Sequence, residues 1–319
     1  RARPAAGGSL PVFPGLADRR VARDCHTPAL DAAAPAPHLA VFLRASPPHM
    51  LLLQLTDFHI RPHGRPAMGR CETNMLAEQA LRAARDFRPR PDALLLTGDL
   101  AHDGTPVEYA LLADLLARTI DVPVYAIPGN HDRRAAFRAG LAHLPGVTEH
   151  PRFVQYVVED LPLRLVMLDT LVEESGGGQL GPERLAWLER TLAAAPGRPT
   201  LLAMHHPAFR TGMGALDRSG LADAAAFAAL LARFPQVRLV VAGHTHRTMW
   251  SRVGTVPACT APGVAHITVL DLAARGGSEW GLEPPGFLVH CLDPEGGLVS
   301  HTASVGPFPG PFPFLPETD

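Results

Sequence analysis

The sequence predicts an α/β fold in which two β-sheets pack face to face and helices cover their outer sides. From Met50 to about His246, short apolar runs typical of buried strands alternate with segments typical of helices. After His246 the pattern changes to short β-like segments separated by Gly and Pro. An α/β first part followed by a β-rich second part therefore indicates two packed sheets.

Six apolar runs in the first part are predicted to be buried strands because they are rich in Val, Leu, Ile and Ala. They span residues 50–56, 93–97, 122–127, 163–168, 200–204 and 237–242. In the second part the predicted strands are residues 248–253, 265–272, 286–291 and 297–303.

Helices are predicted between these strands where start signals occur. The segment Thr105-Pro106-Val107-Glu108 is a capping box with proline at the first helical position, and it predicts a helix through residues 109–117. Gly181-Pro182 similarly opens a helix, and another is predicted over residues 221–233, between two histidine-bearing segments.

The chain is predicted to contain one folded domain with a tail at each end. Residues 1–49 are rich in Pro, Ala and Arg and lack periodicity, so we expect a disordered N-terminal extension. Residues 50–306 are predicted to be the folded domain. Residues 307–319, rich in Pro and Phe, are predicted to form a C-terminal tail.

Composition argues against several classes of partner. The 319 residues are 46% hydrophobic and 19% charged with a formal net charge of −2, and no block of basic residues indicates contact with nucleic acid or a membrane surface. No apolar run reaches membrane-spanning length, and no signal-peptide pattern is visible. The four cysteines are scattered, as expected in a reducing compartment, so we expect a cytoplasmic protein.

Five short polar segments follow predicted strands and contain the candidate catalytic and metal-binding residues. They are Asp57-Phe58-His59, Gly98-Asp99, Gly129-Asn130-His131-Asp132, Met204-His205-His206-Pro207 and Gly243-His244-Thr245-His246. Their positions predict that carboxylates, an amide and imidazoles meet at one edge of a sheet. Such a group is a ligand set for two divalent metal ions, and two adjacent ions are suited to displacement at phosphorus.

The spacing within these segments suggests individual roles. Asp57 and His59 are separated by one residue, so both can turn toward one ion, and His244 and His246 repeat that spacing. Asp99 follows a glycine and can bridge two ions through its two carboxylate oxygens. The mixed oxygen and nitrogen donors suit Mn, Fe, Co, Ni or Zn without choosing among them.

Two assignments stay open from the residues alone. One of His205 and His206 is expected to bind metal, and we favour His205 because it lies closer to the strand. Each segment taken singly could be a solvated loop or a turn. The ordered set of five after five predicted strands is what argues for a metal centre.

These segments together resemble the calcineurin-like metallophosphoesterase superfamily. Further stretches resemble its class III cyclic-nucleotide phosphodiesterase branch, and the resemblance covers residues 50–314. These stretches are Gln54-Leu55-Thr56-Asp57, Tyr125-Ala126-Ile127-Pro128-Gly129-Asn130-His131-Asp132, Gly176-Gly177-Gly178, and His205-His206-Pro207 with Thr211-Gly212-Met213-Gly214.

The resemblance implies a four-layer αββα sandwich of two mixed sheets flanked by helices. It assigns one divalent ion to Asp57, His59, Asp99 and His246, and a second to Asp99, Asn130, His205 and His244. Iron and manganese are favoured, with zinc or cobalt as alternatives. His131 is expected to face the substrate phosphate and assist the leaving oxygen. His266 matches a phosphate-contacting position, although its sequence context equally suits a polar residue in a turn.

The function expected from this resemblance is hydrolysis of a small phosphodiester, preferably 3′,5′-cyclic AMP to AMP, by water activated between two metal ions. The alternatives are a glycerophosphodiesterase or another phosphodiesterase or phosphatase of broad specificity. A non-catalytic binding module is disfavoured because all seven ligand positions and His131 are present. The implied partner is a small phosphodiester, without nucleic acid or membrane, and a homodimer is compatible with the family.

Overall fold

The structure is a computed structural model that describes residues 49–273 and 278–312. The predicted N-terminal extension lies outside the described residues except for His49, and the predicted tail is described only as far as residue 312.

Strands and helices alternate through the first part of the described chain, as the sequence predicts. In chain order these elements are β1 (Met50–Leu55), α1 (Thr73–Asp86), β2 (Ala93–Thr97), α2 (Pro106–Thr119), β3 (Val124–Ile127), α3 (Arg134–Gly140), β4 (Tyr156–Val158), β5 (Arg164–Met167), α4 (Gly181–Ala193), β6 (Thr200–Ala203), α5 (Gly214–Asp217), α6 (Ala224–Leu231) and β7 (Val237–Ala242). The remaining strands are β8 (Met249–Val253), β9 (Val256–Thr260), β10 (Ile267–Thr268), β11 (Trp280–Gly281), β12 (Gly286–Leu292) and β13 (Leu298–Ser304).

Two mixed sheets contain most of these strands. Sheet 1 has the order β13-β12-β1-β2-β3, in which β1, β2 and β3 are parallel and the C-terminal strands β12 and β13 add antiparallel. Sheet 2 has the order β4-β5-β6-β7-β9-β8, with a parallel centre from β5 to β9 and antiparallel edges. The short strands β10 and β11 pair separately.

The side chains of sheet 2 explain the layered arrangement. Alternate residues of a strand face opposite sides of the sheet. On β6, Leu201 packs into the core shared with sheet 1, whereas Leu202 packs into a second core with Leu188 of α4 and Phe227 of α6. Sheet 2 is thus covered by sheet 1 on one face and by helices on the other, which confirms the predicted fold of two mixed sheets flanked by helices.

The capping box that predicts α2 is present in full. The Thr105 hydroxyl accepts from the Glu108 N–H, and the Glu108 carboxylate accepts from the Thr105 N–H. In contrast, α1 has no side-chain cap and therefore no start signal in the sequence. The predicted strand at 265–272 is reduced to the two residues of β10, and the predicted helix at 221–233 is shorter at both ends.

No helix within 49–273 or 278–312 is both long enough and apolar enough to span a bilayer.

Candidate metal centre

The predicted ligands converge from both sheets. The sequence pattern predicts one edge of a single sheet, and that prediction is wrong. Strands β1, β2 and β3 of sheet 1 end next to four of them, and strands β6 and β7 of sheet 2 end next to the other three. The first set is Asp57, His59, Asp99 and Asn130, and the second is His205, His244 and His246. The two sheets face each other, so their strand ends meet at one place.

The backbone at these positions is unusual. Positive φ is uncommon for residues other than glycine, and Asp, Asn and His are the types that adopt it most often. Five of the seven non-glycine residues with positive φ in the described part of the chain are predicted ligands. They are Asp57 (58°), His59 (47°), Asp99 (51°), His244 (69°) and His246 (53°). Strands β1, β2 and β7 therefore turn sharply where they end, which brings their ligands toward the facing sheet.

Glycine is required beside two ligands because the backbones approach closely. At Gly98, where φ is 97°, a Cβ atom would lie 2.3 Å from Nδ1 of His205. At Gly129, a Cβ atom would lie 2.3 Å from Oδ1 of Asp99. Any larger residue at either position would displace a ligand.

The first cluster consists of Asp57, His59, Asp99 and His246, and their ligand atoms lie within 4.8 Å of one another. Nε2 of His246 is 3.3 Å from Nε2 of His59 and 3.2 Å from Oδ1 of Asp57. Nδ1 of His246 donates a hydrogen bond to the His266 carbonyl oxygen at 2.8 Å. Nε2 is therefore the nitrogen available to bind an ion. Two imidazole nitrogens and two carboxylates, all buried and convergent, suit a transition-metal ion.

The second cluster is formed by Asp99, Asn130, His205 and His244. Oδ1 of Asn130 lies 3.1 Å from Nε2 of His205 and 2.8 Å from Nδ1 of His244, and Oδ1 of Asp99 lies 3.4 Å from the same His205 nitrogen. Nδ1 of His205 donates to the Thr97 carbonyl at 2.7 Å, so Nε2 is the atom available to an ion. These residues also fit a divalent ion with mixed oxygen and nitrogen ligands.

Asp99 joins the two clusters through its two carboxylate oxygens. Oδ2 lies 3.9 Å from Nε2 of His59 in the first cluster, and Oδ1 faces His205 in the second. This is the arrangement expected of a bridging carboxylate, and the paired buried His/Asp clusters suit a dimetal site.

Charge within the second cluster is balanced by protonation. Burial alone would lower the pKa of His205, but the carboxylate of Asp99 outweighs it and raises that pKa to about 9. Burial would likewise raise the pKa of Asp99, yet His205 holds it well below its usual range. Burial and the charge on His205 lower the pKa of His244 to about 4. Binding of a divalent ion would therefore release the proton that His205 carries.

His131 lies at the mouth of the centre, and its ring contributes a nitrogen within 4.8 Å of ring nitrogens of His59 and His102. Its backbone N–H donates to Oδ1 of Asp99 at 2.8 Å, and its Nδ1 lies 2.8 Å from the His102 carbonyl, to which it can donate. This leaves Nε2 free. His131 and Asn130 line a cavity of 570 Å³ together with His102, Asp103, Arg133, Glu174, Ser175 and Gly176. A cavity of this size accommodates a small organic ligand.

His266 lies beside the first cluster. Its ring centroid is 4.3 Å from that of His246 and 5.0 Å from that of His59, and its Nδ1 is buried without a hydrogen-bond partner. It is not among the residues that line the 570 Å³ cavity. The structure thus places His266 against the imidazoles of the first cluster.

His206 is fully buried, and one of its ring nitrogens lies within 4.8 Å of ring nitrogens of His205 and His244 in the second cluster. Nδ1 lies 2.8 Å from the Thr170 hydroxyl, and its ring centroid is 4.8 Å from that of His244. A Cβ atom at Gly178 would lie 2.2 Å from the same nitrogen, so the glycine-rich segment leaves the space that this imidazole occupies.

Three residues with positions in the centre had no assigned role in the sequence interpretation. Asp132 accepts from the backbone N–H groups of Leu100, Ala101 and Gly129 at 2.8–3.2 Å and so ties the loop after β2 to the loop after β3. Ser219 contacts Nε2 of His244 at 3.1 Å. His102 supplies the carbonyl that orients His131. Only Asp132 belongs to a motif that the sequence could have indicated.

Comparisons with known proteins agree with this geometry. The family model for calcineurin-like phosphoesterases matches residues 50–248. A dimetal phosphatase from Danio rerio shares the fold with a TM-score of 0.58 and 14% identity, over 81% of this chain and 99% of that one.

Two groups of relatives match most of the sequence. The probable glycerophosphodiester phosphodiesterase GpdQ of Arcobacter nitrofigilis is 32% identical over 278 residues, which cover 84% of this chain and 98% of that protein. A probable cyclic nucleotide phosphodiesterase of Rhodopseudomonas palustris is 36% identical over 242 residues, covering 75% of this chain and 86% of that protein. The comparisons support the predicted superfamily without singling out its cyclic-nucleotide branch. The chain belongs to the calcineurin-like phosphoesterase family.

Proposed function

We propose that the chain is a metal-dependent phosphodiesterase whose substrates are glycerophosphodiesters. The observation that carries the proposal is the pair of buried ligand clusters that share Asp99 beside an open cavity. The match to a glycerophosphodiester phosphodiesterase over 98% of its length supports this substrate class over the cyclic AMP expected from the sequence.

In this proposal each cluster holds one divalent ion. When bound, the two ions supply Lewis-acid polarisation of the phosphate and activation of water. Asp99 would serve both ions, because its two carboxylate oxygens face different clusters, and the carbonyl oxygens of Thr97 and His266 fix the orientation of His205 and His246. We propose iron or manganese, with zinc or cobalt as the alternatives, on the family resemblance; the mixed oxygen and imidazole ligands suit all four metals.

His131 is proposed to act on the leaving group. The His102 carbonyl holds Nδ1, so Nε2 is directed to the substrate and can give a proton to the departing alcohol oxygen. In the same cavity Arg133 offers a positive charge for the phosphodiester anion, and the carboxylates of Asp103 and Glu174 can accept hydrogen bonds from alcohol hydroxyls. The His266 ring lies against those of His59 and His246, and His266 is proposed to support the first cluster.

Product-resolved kinetics test the substrate class. The manganese-loaded protein would be assayed with glycerophosphoethanolamine, with 3′,5′-cyclic AMP and with bis(p-nitrophenyl) phosphate, and Asn130→Ala would serve as the control. We expect kcat/KM for the glycerophosphodiester to exceed that for cyclic AMP, with all three activities lost in the control.

A preference for cyclic AMP would instead favour a cyclic-nucleotide phosphodiesterase, a second candidate that the 36% identical relative supports. Cleavage of none of the three substrates by a fully metal-loaded protein would contradict the proposed enzyme and favour a binding module.

A further inference from the structure

Gln54, near the end of β1, hydrogen-bonds to both sheets beneath the ligand loops. Its side chain is fully buried. Nε2 donates to the Thr97 hydroxyl of β2 at 3.0 Å and to the Ala242 carbonyl of β7 at 2.9 Å. The second bond crosses from sheet 1 to sheet 2.

The orientation of this amide is determined by its partners. A carbonyl oxygen can only accept, so the NH₂ group of Gln54 must face Ala242 and its Oε1 must face the other side. There Nε2 of His290, on the neighbouring strand β12, lies 3.2 Å from Oε1 and donates to it. Nδ1 of His290 then accepts from the Ser300 hydroxyl of β13 at 2.7 Å. One directed chain therefore runs across sheet 1 and into sheet 2.

Both residues that accept from Nε2 of Gln54 lie next to metal ligands. Thr97 is the residue whose carbonyl accepts from Nδ1 of His205. Ala242 is the last residue of β7 and precedes Gly243-His244. Gln54 itself precedes Asp57 by three positions. The bonds of Gln54 thus hold the two sheets at the point where ligands leave them.

The two clusters depend on this spacing to different degrees. The first cluster takes three of its four residues from sheet 1 and only His246 from sheet 2. The second takes Asp99 and Asn130 from sheet 1 and His205 and His244 from sheet 2. A small shift between the sheets would move one ligand of the first cluster away from the other three. In the second cluster the same shift would move two ligands away from the other two.

We propose that Gln54 and His290 are positioning residues that set the spacing between the two sheets and thereby the affinity of the second cluster for its ion. This inference rests on the ligand assignment of the proposed function. It does not depend on the substrate, because its test measures metal binding alone.

The test is a calorimetric titration of the metal-free full chain with Mn²⁺, with elemental analysis of the loaded protein and circular dichroism to verify folding. Gln54→Leu removes the cross-sheet bond at similar volume. We expect the dissociation constant of the second ion to rise about 10–100-fold, the usual cost of losing a group that orients a ligand. That of the first ion should change much less.

A matched control is Gln155→Leu. Gln155 is also buried, but its side-chain nitrogen and oxygen have no hydrogen-bond partner in the part of the chain that the structure describes, so this variant should bind both ions as the wild type does. His290→Leu removes the hydrogen-bond donor to Gln54, so it should weaken binding of the second ion. His290→Gln can retain a donor and should restore that binding. This pair keeps the test decisive if Gln54→Leu does not fold.

Equal weakening of both ions in Gln54→Leu, selective weakening of the first ion, or wild-type binding would each overturn the proposal. Equal dissociation constants of the second ion in His290→Leu and His290→Gln would also overturn it. A purely structural role of His290 would not make metal binding depend on the hydrogen bond that Gln can retain.

Discussion

The two sheets contribute chemically different ligands. Sheet 1 supplies every oxygen ligand of the candidate centre and one imidazole, whereas sheet 2 supplies imidazoles alone. The first set is Asp57, Asp99, Asn130 and His59, and the second is His205, His244 and His246. Neither sheet can form either cluster alone, so the centre is a property of the interface between the sheets.

The difference extends to how the imidazoles are oriented. Within the second cluster, His205 donates to the Thr97 carbonyl of sheet 1, and Nδ1 of His244 faces the Asn130 amide oxygen. The backbone N–H of His244 also donates to Oδ2 of Asp57 at 3.2 Å. Sheet 1 therefore supplies ligands of its own and also orients His205 and His244 of sheet 2, an asymmetry that substitutions in the two sheets can test.

Loss of the shared carboxylate should have the largest effect. In Asp99→Asn we expect turnover to fall by more than about 10⁴-fold, the upper end of what one positioned proton-transfer group supplies, because this residue belongs to both clusters. Elemental analysis should find both ions depleted. His205→Ala, on sheet 2, is the comparison variant and should retain the ion of the first cluster. Two retained ions in Asp99→Asn would contradict the bridging assignment.

Substitution of His131, in the loop after the sheet 1 strand β3, should affect turnover without affecting metal binding. We expect His131→Ala to lower turnover about 10²–10⁴-fold while the metal content stays near that of the wild type, because no ligand is removed. Steady-state kinetics and elemental analysis on the same preparation check this. Loss of both ions would place His131 among the ligands.

Gly98 is where sheet 1 makes room for an imidazole of sheet 2. In Gly98→Ala, strain at positive φ costs about 1–3 kcal/mol, and the new methyl group would also displace His205. Thermal unfolding of the metal-free protein measures the total. Gly64→Ala is the matched control, since φ is 73° there and no atom lies within 4 Å of its Cβ position. Equal losses in the two variants would mean that the contact between the sheets contributes nothing.

The smallest effect is expected where helix α2 contacts the loop after β3, outside the interface between the sheets. The Tyr109 hydroxyl donates to Oδ1 of Asp132 at 2.9 Å and accepts from the Arg133 N–H at 3.0 Å. Tyr109→Phe should reduce the free energy of unfolding by about 1–3 kcal/mol, because buried groups lose their partner, with little change in metal content. Tyr125→Phe, whose hydroxyl has no hydrogen-bond partner among the described residues, should be close to neutral.

Local sequence patterns predicted the parts of the molecule that depend on local interactions. Strand β2 has the predicted bounds because its apolar run is uninterrupted up to Thr97, and α2 begins at its capping box. Helix α1 has no comparable signal. The ligands could be recognised because each lies in a short segment directly after a strand.

What the sequence could not predict depends on contacts between distant residues. In the sequence, Gln54 is a polar residue in an apolar strand without any sign of a special role. Its partner Ala242 is 188 positions away, so no local pattern indicates their contact. Ser219 lies in a loop without a motif and still reaches His244. The convergence of two sheets, in place of one edge, follows from packing that no local pattern encodes.

The positive φ values of the ligand residues imply a conflict between stability and activity. Five residues adopt a conformation that costs about 1–2 kcal/mol each for an L-amino acid, and glycine would adopt it freely. Asp57→Gly or His244→Gly should therefore give a protein that resists heating better than the metal-free wild type while losing an ion. Selection for thermal resistance alone would therefore act against these residues, and only a demand for the chemistry of the centre would oppose it.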